Sequence, residues 1–429
     1  MPRPARIAPQ IPAAVTDRLS AFQKVFFSKP PFVSGVYSID KADYLLYYGG
    51  PQNPRCIDLA NAADADLQHL SDACAPATFG LNNTDVYDED YRKARKMDVD
   101  AFSCKFDPAH SGLLELIWPE FLSDGGDIKQ KVVCELYKLN VYGQGSFFKA
   151  HKDTPRSDTM FGSLVVVFPT PHEGGALILR ENEKEWTFDS AAEVLADGSP
   201  KLGYVVFFSD VEHEVTKVTS GYRVTLTYNL YFNAKSTDEP TTLLHQPHLP
   251  SGVSKVGQEL KIMLQDFLAC PDFLPDGGFL GFGLRFLYPL DATKPVSTIS
   301  SSLKGCDAML QAVCDELGLQ HSLHAVYKTS AGCDYYSGDS DGDKTVHIVR
   351  DTFWKGTHQQ VDMDLYHYIR DKKSILLRAA GTRTFKDDYG KVVPTKEVHW
   401  VTKVPTQYNV VKSHYGASSR FFVPPSSAC

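Results

Sequence analysis

Two histidines and an aspartate carry the clearest chemistry in this chain. His151, Lys152 and Asp153 form its sole His-x-Asp or His-x-Glu triplet. Residues two apart on an extended segment point the same way, so an imidazole and a carboxylate spaced like this can converge on one metal ion. A later segment, GYVVFFSDVEHEV, brings His213 to the start of a strand after a tight Ser-Asp turn. Two histidines and one carboxylate on one face of a metal, with the other face open, suit non-haem Fe(II) and O2 chemistry.

Ten residues after His213 comes Arg223, in the run YRVTLTYNLYF. The run alternates, with Tyr222, Val224, Leu226, Tyr228 and Leu230 on one face and Arg223, Thr225, Thr227, Asn229 and Tyr231 on the other. An arginine among small hydroxyl residues suits a carboxylate clamp. Its guanidinium fork binds a carboxylate with two parallel hydrogen bonds, and a hydroxyl adds a third.

These residues need a scaffold of successive strands. From about residue 130, short β-rich runs follow one another: KVVCELYKLNVY, GSLVVVF, ALILR, EWTF, GYVVFFS, HEVTKV and YRVTLTYNLYF. Turn chemistry such as GQG, PTPHEGG and TSG separates them. Seven strand candidates with no helix between them indicate an antiparallel sandwich or barrel. The His-x-Asp triplet follows a strand and the turn GQGSFFKA, which places it at a strand entrance. Residues 13–27, 61–75 and 87–97 read as helical, and 33–60 as short strands and turns. The mixed-charge segment YDEDYRKARKM (87–97) reads as surface.

Length and composition set the frame. A chain of 429 residues suggests two domains, and 43% hydrophobic with 22% charged residues is a globular composition. The reading is a Pro-rich arm at 1–12, a catalytic domain at 13–234 with its core at 130–232, a linker at 235–256, and a C-terminal α+β region at 257–429. That last region carries helix candidates at 257–269 and 303–317 and a Gly-rich strand at 277–288. The net charge is −8, and no run of five basic residues occurs, which weighs against a duplex nucleic-acid partner. The nine cysteines are scattered, with no CxxC, as for reduced thiols in the cytoplasm or nucleus. No apolar run is long enough for a membrane span, and no signal peptide is evident.

Other candidate sites are weaker. The run GDSDGDK (338–344) lacks the Gly and Glu of a calcium loop and reads as a solvated turn. His321 and His324 have no third ligand nearby in sequence. His399, Trp400 and Trp354 read as core or substrate-wall residues, and Arg180 as an exposed strand-end residue.

The segments YGQGSFFKAHKDT (142–154), SLVVVFPTPHEGGALILR (163–180) and VVFFSDVEHEVTKVTSGYRVTLTYNL (205–230), in that order, resemble the 2-oxoglutarate/Fe(II)-dependent dioxygenase superfamily, especially its prolyl 4-hydroxylase-like group and fungal members. The resemblance covers about residues 130–232. It implies a double-stranded β-helix, or jelly roll, within a mainly β, α+β chain. It implies Fe(II), 2-oxoglutarate and O2, with ascorbate as an accessory reductant. By resemblance His151, Asp153 and His213 hold the iron, Arg223 pairs with the distal carboxylate of 2-oxoglutarate, and Thr225 lies beside it. A tyrosine on the preceding strand completes that contact, Tyr142 before Tyr137. Many prolyl hydroxylases have Lys at the clamp and Tyr three residues before the first His. Arg223 and Phe148 stand there instead, so peptidyl proline is not carried over as the substrate.

Three functions compete. The leading one is hydroxylation of a protein or peptide. The second is oxidative demethylation of a nucleobase or of lysine, and the third is a jelly-roll binding module without turnover. Basic or aromatic side chains around the cavity would favour a nucleobase, and an acidic, narrow mouth a cationic peptide.

Overall fold

A computed structural model describes residues 12–81, 84–122, 131–157, 159–196 and 198–233, and beyond them 244–245, 254–271, 273, 278–288, 293–329, 346–352, 374–379, 392–402, 409–411 and 421–423. The chain divides into two compact units. Pro30–Ser123 and Asp127–Gly252 form one, and Met1–Lys29, Asp124–Gly126 and Val253–Cys429 the other. The expected division near 235–256 therefore needs one change. Helix α1 (Ala13–Phe26) groups with the C-terminal half and not with the catalytic domain. Its buried stripe of Val15, Phe22 and Phe26 finds partners there, with Phe22 5.9 Å from the Phe282 ring and Arg18 paired to Asp266 at 3.0 Å.

The first unit is built chiefly on two sheets, with smaller ones beside them. Strands β1 (Phe32–Tyr37), β2 (Arg92–Lys93), β3 (Arg95–Asp98), β4 (Lys131–Tyr142), β5 (Phe147–His151), β6 (Met160–Val167), β7 (His172–Gly174), β8 (Leu177–Glu181), β9 (Lys184–Phe188), β10 (Leu202–Phe208), β11 (Glu212–Val215), β12 (Val218–Gly221) and β13 (Arg223–Asn233) follow in chain order. An eight-stranded sheet contains the order β1-β10-β6-β13-β4-β3, and a five-stranded sheet runs β9-β8-β11-β5-β2. From β4 onward the main strands alternate between them: β4, β6, β10 and β13 lie in the larger sheet, and β5, β8 and β11 in the smaller. All these pairings are antiparallel. This alternation is the winding of a double-stranded β-helix, a sandwich with a cavity between its sheets.

Alternation within β13 positions the site. Val224, Leu226, Tyr228 and Leu230 are buried in the apolar core, and Arg223, Thr225, Thr227 and Asn229 line the cavity. Helix α3 (Leu113–Phe121) closes the far side of the core with Leu114, Ile117 and Trp118, and Phe121 stacks on Phe208 at 4.3 Å.

Two sequence expectations are corrected in this unit. His151 is the last residue of β5, so the triplet sits at a strand exit. A strand exit frees Asp153 from the ladder and lets it turn in. The segment 87–97, expected to be a surface helix, supplies β2 and part of β3. Arg92 and Ala94 are buried and Lys93 and Arg95 exposed, an alternation of period two that charge content hid.

The second unit also holds helices α5 (Lys255–Leu268) and α6 (Gly305–Glu316), with a short α2 (Asp64–Ala73) and a one-turn α4 (Ser190–Glu193) belonging to the first. Its sheet has the order β14-β18-β17-β16-β15, from β14 (Phe279–Gly281), β15 (Ala325–Thr329), β16 (Val346–Arg350), β17 (Ile375–Ala379) and β18 (Lys396–Trp400). The strand expected at 277–288 stops at Gly281. Beyond it, the Arg285 and Phe286 amides donate to the buried carboxylate of Asp307 and not to a neighbouring strand. Among the described residues no helix is long and apolar enough to cross a membrane, and seven cysteines are free thiols.

Candidate metal centre and active site

His151 and His213 face each other as register partners of β5 and β11. With Asp153 they offer three ligand atoms that lie within 4.8 Å of one another. Each side chain is already oriented by a second contact. His151 Nδ1 lies 2.8 Å from the Lys149 carbonyl, and His213 Nδ1 lies 3.1 Å from the Val211 carbonyl. A carbonyl only accepts, so both Nδ1 atoms carry the proton and both Nε2 lone pairs are left for a metal. The Ser163 hydroxyl donates to Asp153 Oδ2 at 2.5 Å, leaving Oδ1, which is 3.8 Å from His213 Nε2. Burial, followed by the adjacent His213, pushes His151 down to about 3, so it stays neutral at physiological pH. Two imidazole nitrogens and one carboxylate match the donor set that holds Fe(II).

Arg223 starts β13, opposite Tyr142 in β4. Its side chain is 1% exposed. Burial lowers its pKa to about 10, which leaves it cationic at neutral pH. The orientation comes from a chain of neutral groups. His172 Nδ1–H donates to the Thr170 carbonyl at 2.7 Å, so His172 Nε2 accepts from the Ser190 hydroxyl at 3.0 Å. Ser190 Oγ in turn accepts from Arg223 Nε–H at 3.3 Å. Burial and the Arg223 charge lower the His172 pKa and so preserve this proton order. Gly175, at φ +69°, makes room for the stem: a Cβ there would lie 2.9 Å from Arg223 Cδ.

Among the described residues no group satisfies Arg223 Nη2, although it is buried. An unpaired buried N–H on a cation is costly, and a bound carboxylate would remove that cost. The distal carboxylate of 2-oxoglutarate fits this donor. Thr225 is buried one inward step along β13, and the Arg223 guanidinium lies 5.6 Å from the Tyr142 ring centroid. Tyr142, Thr225, Arg223 and the three metal ligands line one cavity of about 320 Å³. Tyr137 also lines it, but at the β4 bulge next to Lys138, where it accepts from Arg156. The structure therefore brings Tyr142, and not Tyr137, beside Arg223.

Phe148 stacks on His151 at 3.6 Å and walls the metal centre. Sequence reading did not find Ser163, His172, Ser190 or Arg92. Ser163 could have been found, because it falls on the inward phase of a strand ten residues after Asp153. His172 and Ser190 act through Arg223 and carry no spacing signal. Arg180 pairs with Glu185 and Glu214, both at 2.7 Å, as a surface strand-end residue. His321, His324, His399 and Trp400 belong to the C-terminal unit. GDSDGDK and Trp354 lie outside the described residues.

Residues 137–231 match the family model described as the 2OG-Fe(II) oxygenase superfamily. No curated protein matches the chain. Among solved structures, a Pseudomonas putida prolyl-4-hydroxylase aligns at 19% identity over 51% of this chain and 100% of its own, with a TM-score of 0.28. A 2OG-Fe(II) oxygenase family oxidoreductase from Burkholderia pseudomallei aligns at 16% identity over 53% of this chain and 95% of its own, with a TM-score of 0.26. A Trichoplax adhaerens prolyl hydroxylase, solved with a hypoxia inducible factor peptide fragment, aligns at 15% identity over 51% of this chain and 92% of its own, with a TM-score of 0.31. The matched segment holds His151, Asp153, His213 and Arg223 in one cavity. It is a domain of the 2OG-Fe(II) oxygenase superfamily, and its chain is a 2-oxoglutarate-dependent dioxygenase that uses Fe(II) and O2.

Proposed function

We propose that this dioxygenase hydroxylates a protein or peptide, with decarboxylation of 2-oxoglutarate to succinate. The observation that carries the reading is the convergence, in one cavity, of three pre-oriented ligand atoms and a buried guanidinium with a vacant donor. Iron held by His151, Asp153 and His213 would supply, with 2-oxoglutarate and O2, the oxidation of a substrate C–H bond.

The chain's own residues do the positioning. Arg223 and Thr225 hold the far end of 2-oxoglutarate, so its other end is directed to the metal. Ser163 keeps one Asp153 oxygen occupied, so the carboxylate presents one oxygen to the iron. Phe148, Leu177, Val215 and Phe207 line the cavity with apolar surface that excludes water from the oxidising centre. Ascorbate as reductant and a cytosolic or nuclear location, suggested by nine scattered thiols, belong to the same proposal. Lysine demethylation is disfavoured, because Lys138, Arg92 and Arg156 line the cavity and repel a cationic substrate.

Succinate formation from 2-oxoglutarate in the presence of Fe(II) and O2, without added substrate, tests the reading. The wild-type protein is expected to turn over slowly and to bind one iron. Asp153→Ala is expected to lower iron affinity at least about 100-fold, beyond the loss usual for residues that only orient a ligand, and to abolish succinate formation. Iron content and turnover retained in Asp153→Ala would remove the assigned triad.

A further inference from the structure

The cavity holds more positive charge than one co-substrate requires. Asp153, a metal ligand, is the one carboxylate lining it among the described residues. Arg223, Arg92, Lys138, Lys152 and Arg156 line it as cations. Arg92 is 6% and Lys138 7% exposed. Neither they nor Arg156 pair with a carboxylate among the described residues. Arg92 donates to the Thr78 carbonyl at 2.7 Å and to Asn140 Oδ1 at 2.8 Å, and its Nε–H is buried without an acceptor. Lys138 and Arg156 share the Tyr137 ring, at 4.0 and 4.3 Å.

This group stands apart from the clamp. Register places Tyr142 opposite Arg223, Asn140 opposite Thr225 and Lys138 opposite Thr227. Lys138 is thus four strand residues from Tyr142, about 13 Å along β4. The five-carbon chain of 2-oxoglutarate spans only about 5 Å. A molecule anchored on Arg223 does not reach Lys138 or Arg156, and Asp98, the acid that faces Lys138 across the β3 register, is already paired with Lys96 at 3.0 Å.

Like charges gathered in a half-closed cavity oppose folding unless an anion offsets them. We propose that Lys138, Arg156 and Arg92 form a subsite for a carboxylate side chain of the substrate, so that the oxidised peptide carries an aspartate or glutamate near its oxidised residue. The proposal rests on the protein or peptide reading above and names the chemistry of that peptide. Lys138 and Arg156 meet the carboxylate, and Arg92, held by Asn140 and Thr78, contributes charge from the wall. A nucleic acid would bring phosphate to the same cations, and a basic, aromatic cavity by itself suits a nucleobase. Base recognition, however, needs a free ring face for stacking. Phe148 already has the His151 ring at 3.6 Å and the Arg92 guanidinium at 4.4 Å, and Tyr137 has Lys138 and Arg156. Phe79 and Tyr91 lie against each other at 4.4 Å. The cations cover the rings a base would use, which favours the acidic peptide.

Fluorescence anisotropy on the full chain tests this with three labelled probes. One is a hexapeptide pool with Asp or Glu flanking mixed central residues, the second the same pool with Asn or Gln, and the third a deoxythymidine hexamer. The acidic pool is expected to bind roughly tenfold tighter than the neutral pool, and the preference to shrink with added salt. Lys138→Met and Arg156→Gln are each expected to reduce it, and Arg156→Glu, at an exposed position that folding tolerates, to abolish it. Equal binding of the two peptide pools by the wild-type protein would overturn the proposal. So would tighter binding of the deoxythymidine hexamer, or a loss of 2-oxoglutarate affinity in Lys138→Met as large as its loss of acidic-pool affinity. Succinate formation on the same preparation reports separately on the parent reading. An acidic preference without turnover sinks the dioxygenase and leaves the subsite, and turnover without the preference does the reverse.

Discussion

Arg223 and Lys138 are two buried cations in one cavity, four residues apart in register, and they are held in different ways. Arg223 is oriented by neutral groups, Ser190 and, behind it, His172 and Thr170, and keeps Nη2 without a partner among the described residues. Lys138 has Arg92, Lys96 and Arg156 around it, Asp98 as its register partner on β3, and a tyrosine ring against it. The first arrangement holds one rigid donor for one fixed anion, as a co-substrate requires. The second gathers several cationic side chains around a tyrosine ring, as suits an anion that more than one donor can meet. Rigidity belongs with the cofactor and adaptability with the substrate.

The sharpest way to break this contrast is Arg223→Met. If Arg223 serves the co-substrate, 2-oxoglutarate affinity falls roughly 10- to 100-fold, the worth of a charge-assisted pair in a closed site. The ligand-free protein does not lose stability, because a buried cation without a counter-ion has been removed. Thermal unfolding with and without 2-oxoglutarate measures both. The wild-type melting temperature rises with ligand by mass action, and that of the variant does not. A variant that melts lower without ligand and keeps its ligand response would make Arg223 a structural residue.

Gly175→Ala perturbs the same end indirectly. Its φ of +69° disfavours any side chain, and the new Cβ would meet Arg223 Cδ at 2.9 Å and Val218 Cγ2 at 2.8 Å. Strain of about 1–2 kcal/mol is expected, with a several-fold loss of 2-oxoglutarate affinity as the stem shifts. Unfolding by urea and 2-oxoglutarate titration follow the two effects. An unchanged titration would show that the stem position is not what sets the clamp.

How much of this was legible depended on whether each residue's partners lie close in sequence. His151, Asp153, His213 and Arg223 could be read because strand order fixes their spacing and alternation fixes their face. Arg92 could not, because in YDEDYRKARKM it resembles any surface charge, and only pairing of β2 with β5 beside Phe148 turns it inward. Lys138 was hidden by the β4 bulge between Leu136 and Lys138, which breaks simple alternation. The jelly roll was visible as seven strand candidates, whereas α1 was grouped with the wrong unit. Its apolar stripe was evident, but Phe282, which it meets, is some 260 positions away and has no local signal. In the C-terminal unit α5 and α6 were readable, and the end of β14 was not, because Asp307, on the distant helix α6, takes the amides that follow it.

Ser190→Ala is a milder probe of the clamp end. Arg223 Nε–H loses its acceptor while the guanidinium fork keeps its charge. A cost of about 1 kcal/mol, roughly fivefold in the KM for 2-oxoglutarate, is expected, with kcat unchanged at saturation. A fall in kcat at saturating 2-oxoglutarate would mean that Ser190 acts on the chemistry and not on the clamp.

A last effect separates the two cations by pH alone. Burial lowers both, but Arg223 only to about 10 and Lys138 to about 8. After burial, Arg92, Lys96 and Arg156 push Lys138 down, while Asp98 pulls it back up. A lowered lysine is charged below its folded-state value and neutral above it. As pH rises from 7 to 9, Lys138 therefore loses its proton while Arg223 keeps its own. Affinity for the acidic peptide pool is expected to fall about two- to tenfold across that interval, centred near pH 8, while 2-oxoglutarate affinity stays flat. A bound carboxylate favours the charged form, so binding at pH 8 takes up protons, which isothermal titration in buffers of different ionisation heat detects. Equal pH responses for the two ligands would mean that one cation serves both, and the distinction between the two levels of the cavity would fall.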